Sequence, residues 1–190
     1  MRSLVLALLG LPFIAHAAEV AGVRVDDKAR VAANGPELVL NGAGLRTRAI
    51  FKVYVAALYL PEKKTAANDV LALGGAKRVQ LTMLRDLPAE TLVGALDDGI
   101  RDNNAPADLE KLKREIGALN AIMLAVREAA KGSVIQLDWV PESGTRVSIN
   151  GEARGAPIAG EDFYRALLRI WLGEKPVEGS LKRALLGEAQ

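Results

Sequence analysis

The ten-residue segment Phe51–Leu60 constrains the fold of this chain more than any other part of its sequence. It reads FKVYVAALYL, which is rich in β-branched, aromatic and small residues and holds one charge, so it is more typical of a strand than of a helix. Alternate side chains of a strand point to opposite faces, and here both alternating sets are mostly apolar. We therefore predict a central strand whose two faces are both mostly covered.

Arg46 lies in a polar interruption just before this strand. Gly42-Ala43-Gly44 precede it, and glycine allows a backbone to turn sharply or to approach another element closely, so we predict a turn here. In one straight strand, Arg46 and Tyr54 would lie roughly 26 Å apart at about 3.3 Å per residue. A bend within residues 47–50 followed by antiparallel pairing would instead bring Arg46 beside the start of the strand, where two long side chains could reach one anion.

The spacing of apolar residues in the rest of the sequence predicts strands and helices in one α+β domain. No internal repeat or linker divides this domain. Asn34-Gly35 and Asn150-Gly151 are typical of hairpin turns. The predicted strands are 19–25, 30–33, 37–40, 77–85, 133–140 and 145–150. The predicted helices are 66–73, 88–103, 107–129, 161–172 and 180–186, the last of them capped by Ser180.

The composition is that of a folded globular protein. Of 190 residues, 50% are hydrophobic and 25% are charged, which suits a single domain with a sizeable core. The 25 basic and 23 acidic residues are mixed along the chain, and the formal net charge is only +2. Because a nucleic-acid binding surface needs clustered basic residues, we predict no nucleic-acid partner.

The N-terminus has the pattern of a secretory signal peptide. A charged start, Met1-Arg2-Ser3, is followed by an apolar run and by Ala15-His16-Ala17, which fits a cleavage site. We predict removal of residues 1–17, a mature domain of residues 18–190, and a periplasmic or secreted location. The alternative is a retained membrane anchor, but the apolar run is short for a bilayer and contains a proline. No later segment is long enough to cross a membrane.

The loss of the signal peptide would restrict the possible chemistry. His16 is the only histidine and the chain has no cysteine. The mature domain would then lack a Ser-His-Asp triad, a cysteine nucleophile, an imidazole base and a zinc site of nitrogen and sulfur ligands. It would also lack disulfides. We predict no catalytic residue, no metal and no cofactor.

Three segments together resemble the chalcone isomerase-like proteins, in their bacterial exported branch. They are GAGLR at 42–46, FKVYVAALYL at 51–60 and FYRALLRIWLG at 163–173, and the likeness extends over the mature chain. The resemblance implies an open-faced β-sandwich, in which an antiparallel sheet packs against a layer of helices with a ligand cleft between them. It covers plant enzymes that close a chalcone into a flavanone and non-catalytic relatives that bind fatty acids.

The resemblance also implies roles for single residues. Arg46 matches an arginine that both groups share, which steadies substrate charge in the enzymes and holds a carboxylate in the binders. Tyr54 stands where the enzymes have threonine and the fatty-acid binders have tyrosine. Ile170 stands where the enzymes have a second threonine, and residues 86–99 contain neither the tyrosine nor the asparagine that the enzymes place near there. The resemblance therefore favours a binder.

Three hypotheses for function follow. The first is a non-enzymatic binder of a small amphipathic anion, such as a fatty acid, held by Arg46 and Tyr54, since a guanidinium and a phenol can bind a carboxylate but do not readily remove a proton. The second is a chalcone-flavanone type isomerase, an intramolecular lyase in which Arg46 stabilises an enolate or phenolate. The third is a scaffold without ligand, with Arg46 in a structural ion pair and Tyr54 in the core. The sequence indicates no particular protein partner.

If residues 1–17 are a signal peptide, the protein purified from an exporting cell begins at Ala18. Mass spectrometry of the intact exported protein measures this directly. An exported chain that still carries residues 1–17 would contradict the prediction.

Overall fold

The computed structural model describes residues 17–32 and 34–188. The predicted signal peptide lies outside the described residues except for its last position, Ala17. No helix in the described part of the chain is long and apolar enough to cross a bilayer.

Within residues 17–32 and 34–188, seven antiparallel strands form the main sheet. They are β3 (Lys28–Arg30), β4 (Glu37–Arg48), β5 (Phe51–Leu60), β6 (Lys77–Met83), β9 (Val134–Val140), β10 (Gly144–Ile149) and β11 (Glu152–Ile158). Their order across the sheet is β11-β10-β9-β6-β5-β4-β3. The same part of the chain forms two separate two-stranded sheets, β1 (Ala17–Val20) with β2 (Val23–Asp26) and β7 (Leu87–Pro88) with β8 (Glu128–Ala129).

The described residues also form six helices, which are α1 (Ala67–Ala72), α2 (Ala89–Asn103), α3 (Pro106–Lys111), α4 (Lys113–Leu124), α5 (Glu161–Leu172) and α6 (Gly179–Leu185). Helices α2 and α5 pack against each other, and α6 packs on β4. Eight of the twelve residues of α5 are buried, which makes it the helix most deeply set in the core. An antiparallel sheet under a helical layer confirms the predicted α+β architecture.

Strand β5 separates two apolar cores. Tyr54, Ala56 and Leu58 belong to the large core between the sheet and the helices. Val55 and Tyr59 belong to a smaller core on the other face, with side chains from the N-terminal strands. The prediction that both faces of this strand are covered is therefore confirmed.

The turn predicted at residues 42–44 is wrong, because these residues lie inside the long strand β4. Glycine is needed at position 42 because another element approaches the backbone closely there. A Cβ atom on Gly42 would lie 2.0 Å from the carbonyl oxygen of Ala184 in α6, which leaves room for hydrogen alone. Nearby, the buried side chain of Asn41 donates a 2.7 Å hydrogen bond to the carbonyl oxygen of Leu185. The end of α6 is thus held directly on β4.

The chain reverses later than predicted, at Ala49 and Ile50 between β4 and β5. Ala49 has a φ of 54°, a left-handed conformation that tight hairpin turns require. The chain therefore bends within residues 47–50, which is the alternative to one straight strand that the sequence allowed.

Other boundaries also differ from the predictions. The strand predicted at 19–25 is two strands, β1 and β2, because Ala21 and Gly22 take positive φ values of 50° and 83° and form a turn. The single helix predicted at 107–129 is two helices, α3 and α4, which are interrupted at Leu112. Helix α4 ends before residue 129 because the backbone becomes extended in β8. Ser180 does not cap the last helix, since Glu178 is the N-cap residue. Strand β11 was missed because six of its seven residues are exposed and give no apolar pattern.

Replacing Gly42 by alanine should destabilise the protein by about 1–3 kcal/mol, the usual cost of overpacking, because α6 must move away from β4. Urea denaturation measures the free energy of unfolding. Gly117→Ala is the matched control, because its Cβ meets open space in the exposed side of α4, and it should stabilise by about 0.5–1 kcal/mol. Equal effects of the two substitutions would contradict the close-approach explanation.

Candidate functional site

A cleft of about 930 Å³ opens between the sheet, helix α2, the end of α5 and the loop that follows α5. Its apolar lining includes Val53, Leu81, Leu92, Leu96, Ile170 and Val177. Its charged lining includes Arg46, Arg48, Arg85, Glu90, Asp98, Asp102 and Lys175. The lining of the cleft thus combines apolar side chains with charged side chains of both signs.

Arg46 and Tyr54 lie directly opposite each other in the β4–β5 pair, and both line the cleft. Opposite residues of antiparallel strands have Cα atoms about 4.5–5.5 Å apart, so the two side chains can act on one group. The pairing shifts register between Arg46 and Thr47, where a β-bulge or similar irregularity interrupts the ladder. The structure therefore brings together the two residues predicted to bind ligand; that they bind one stays a prediction.

Arg46 takes part in an ion pair at the cleft. Its Nη1 atom lies 3.2 Å from Oε2 of Glu178 and also donates to the carbonyl oxygen of Thr47. The side chain is 23% exposed, so this cation is sheltered but reaches solvent. The ion pair considered for Arg46 on sequence grounds is present. Both contacts use one nitrogen, whereas a guanidinium carries five N–H donors, so the pair does not exhaust its capacity.

Sequence reasoning missed Glu178, the acidic partner of Arg46. It accepts hydrogen bonds from the backbone N–H of Thr47 at 2.8 Å, from the Thr47 hydroxyl at 2.9 Å and from the Ser180 hydroxyl at 3.0 Å. Its place just before the predicted last helix was the available signal, because acidic residues are stabilised at helix N-termini. Glu178 ties the loop between α5 and α6 to β4 and so holds one wall of the cleft.

The same contacts control the ionisation of Glu178. Burial favours the neutral acid, but the hydrogen bonds from Thr47, Ser180 and Arg46 outweigh it and lower the pKa of this carboxyl below its ordinary value. Glu178 is therefore an anion at neutral pH and partly neutralises Arg46.

Tyr54 is a buried phenol that faces the cleft, with 7% of its surface exposed. Its hydroxyl oxygen accepts a 3.1 Å hydrogen bond from the indole Nε1 of Trp171 in α5, which leaves its own hydrogen to donate. Burial raises the pKa of Tyr54, although Trp171 and Arg46 oppose this effect. Tyr54 thus stays neutral at physiological pH and offers a donor beside the Arg46 cation.

Ile170 contributes hydrocarbon to the cleft wall opposite the sheet. Gly99 of α2 allows it to pack closely there, because a Cβ on Gly99 would lie only 2.9 Å from Cγ2 of Ile170. At the position where the resemblance places an enzyme's hydroxyl, this cleft has a branched alkyl group. Within residues 17–32 and 34–188, no cluster of three or more His, Cys, Asp or Glu residues could hold a metal ion.

Comparison with known proteins supports the family resemblance and the fold. The sequence model described as chalcone isomerase-like matches residues 17–187. The fold is similar to the crystal structure of a fatty-acid binding protein from Arabidopsis thaliana, with a TM-score of 0.68 and 14% sequence identity over 90% of this chain and 96% of that chain. At this identity the likeness concerns the fold alone. Comparison with curated proteins finds no match.

The ion pair predicts a pH-dependent stability. Because the folded-state pKa of Glu178 is lowered, its charge stabilises the fold above the ordinary pKa of 4.5, and this stabilisation is lost as the pH falls through the folded-state value. Glu178→Gln should cost about 1–3 kcal/mol at neutral pH, and the difference from the wild type should shrink below about pH 4.5.

Urea denaturation at a series of pH values measures this difference. Glu110→Gln is the control, because the Glu110 side chain is 78% exposed and the substitution should have little effect at any pH. A cost of Glu178→Gln that does not change with pH would contradict the prediction.

Proposed function

Because this chain belongs to the chalcone isomerase-like family, we propose that it is a non-catalytic binder of a small amphipathic anion, such as a fatty acid, in the cleft between sheet and helices. The observation that carries this proposal is the pairing of Arg46 with Tyr54 on adjacent strands, both facing that cleft. A permanent cation and a neutral hydroxyl donor side by side suit a carboxylate.

The head group binds at Arg46 and Tyr54 in this proposal. A carboxylate oxygen accepts from the Tyr54 hydroxyl while the other accepts from the guanidinium of Arg46. Glu178 already lies 3.2 Å from Arg46, so the two anions compete for one cation. Removing the charge of Glu178 should therefore strengthen ligand binding even as it weakens the fold.

The hydrocarbon tail of the ligand lies along the apolar lining, which includes Leu81, Leu96 and Ile170. A volume of about 930 Å³ is within the range of small-molecule sites, and each methylene buried there contributes about 0.8 kcal/mol. The Arabidopsis protein of the same fold is named as a fatty-acid binding protein, which supports this class of ligand.

The side chains of the cleft are better suited to binding a ligand than to catalysing its conversion. Tyr54, whose pKa is raised by burial, is neutral and a poor base near neutral pH, and a guanidinium such as that of Arg46 binds anions and does not act as a base. Ile170 supplies no hydroxyl where the resemblance places one in the enzymes. We accordingly expect a chalcone to lose its absorbance at the uncatalysed rate when the protein is added.

We further propose that binding takes place outside the cytoplasm, in the periplasm or after secretion. The signal-peptide pattern of residues 1–17 supports this proposal.

Substitutions at the two head-group residues test the proposal. Isothermal titration with a soluble medium-chain fatty acid should show that Arg46→Ala weakens binding about tenfold to a hundredfold, since a charged hydrogen bond contributes about 1.5–3 kcal/mol. Tyr54→Phe should weaken binding about twofold to tenfold. Glu178→Gln should strengthen it.

Two matched variants control for general effects. Arg114→Ala removes a guanidinium that is 87% exposed on α4, and Tyr59→Phe removes a hydroxyl bonded to the Asp26 carbonyl on the other face of the sheet. Both should leave the affinity unchanged. Unchanged affinity in Arg46→Ala and Tyr54→Phe, or no small molecule retained in native mass spectra of gently purified protein and none bound on titration, would overturn the proposal.

A further inference from the structure

The turn between β4 and β5 presents apolar side chains to solvent. We define residues 48–52 as the β4–β5 tip. Ile50 is 89% exposed and Phe51 is 53% exposed. Only one other large apolar residue of the described chain, Leu124, is exposed to a comparable extent, at 42%. Two adjacent apolar side chains at the end of a hairpin are therefore an unusual feature of this surface.

Basic side chains surround these two residues. Arg48 and Lys52 flank them in sequence and are exposed. The guanidinium carbon of Arg85 lies 4.7 Å from the centroid of the Phe51 ring. None of the three cations forms an ion pair with an acid in the described part of the chain. Between Glu37 and Glu62 the sequence contains no acidic residue. The tip thus combines exposed hydrocarbon with exposed basic side chains.

The tip also adjoins the cleft. Arg48, Ala49 and Phe51 belong both to the tip and to the cleft lining. Residues Arg46 and Tyr54 follow inward along the same two strands, so the tip stands at the mouth of the hollow. A surface that contacts the tip therefore lies next to the entrance.

We propose that the β4–β5 tip docks on an anionic phospholipid bilayer. Ile50 and Phe51 enter the boundary between head groups and acyl chains, while Arg48, Lys52 and Arg85 contact lipid phosphates. Exposed hydrocarbon combined with basic side chains is the composition that binds such surfaces, and long basic side chains keep their charges at the head groups while their stems follow the apolar residues.

A bilayer fits this tip better than a protein partner does. A stable protein interface buries about 800 Å² on each partner, and two side chains on a narrow turn offer much less apolar surface. The positive charge around the tip matches anionic head groups without requiring a shaped counterpart. Docking does not depend on cargo; if the proposed ligand binding also holds, an amphipathic ligand could pass between bilayer and cleft without crossing water.

A single labelled cysteine tests where the protein touches the membrane. Because the chain has no cysteine, Ile50→Cys carrying an environment-sensitive fluorophore reports on the tip alone. The vesicles, free of fatty acid, consist of phosphatidylcholine with a minority of phosphatidylglycerol. We expect a blue shift of the emission and quenching by lipid-borne quenchers. Leu124→Cys with the same label is the matched control and should show neither change, and any membrane affinity of residues 1–17 is common to both chains.

Charge variants test the electrostatic part. Lys52→Gln in the Ile50→Cys chain should weaken binding to anionic vesicles about fivefold, whereas Lys113→Gln, which removes a charge that is 80% exposed on α4, should not. Binding should fall with added salt and on vesicles of phosphatidylcholine alone.

The proposal is overturned if both labels respond alike or if the label at position 50 does not respond. It is also overturned if the blue shift appears without vesicles and grows with protein concentration, which would show that a second copy covers the tip. Fatty-acid affinity is measured separately by the titration described above, so failure of docking and failure of ligand binding are distinguishable.

Discussion

The antiparallel pairing of β4 with β5 is the constraint on which the rest of the structure depends. It joins two long strands by a two-residue turn and places Arg46 opposite Tyr54. Because both faces of β5 are buried, a slip of one residue would send every apolar side chain of this strand to the wrong core. The burial that stabilises the sheet therefore also holds the polar pair at the cleft. Stability and site geometry have one origin here.

Glu178 extends this constraint to the helices. Through Thr47 and Arg46 it fastens the loop after α5 to β4, and Gly42 lets α6 rest on the same strand. Trp171 of α5 adds a third connection through the hydroxyl of Tyr54. The cleft wall is thus attached to the residues that we propose bind the head group.

A comparison with Arg78 shows why we propose Arg46, and not Arg78, as a ligand-binding residue. Arg78 forms two hydrogen bonds of 2.6 Å with Asp138 on the neighbouring strand, which satisfies the planar fork of the guanidinium. This pair is buried and does not line the cleft, so it is a structural ion pair between β6 and β9. Arg46 faces the cleft, is partly exposed and contacts Glu178 through one nitrogen. The difference in geometry separates a closed ion pair from a cation that can accept a further anion.

The sequence by itself determined the elements whose local signal is strong. The β-branched and aromatic composition of residues 51–60 and the periodicity of residues 88–103 and 161–172 predicted these elements closely, and the family resemblance indicated Arg46 and Tyr54 as candidate site residues. Prediction from the sequence failed where a feature depends on contacts between segments that are far apart in the chain. Gly42 serves contact with α6 rather than a turn, exposed β11 gives no apolar pattern, and Glu178 reaches Arg46 across 132 positions of chain. Only tertiary structure decided these features, because close approach and ion pairing between remote segments leave no periodicity in the sequence.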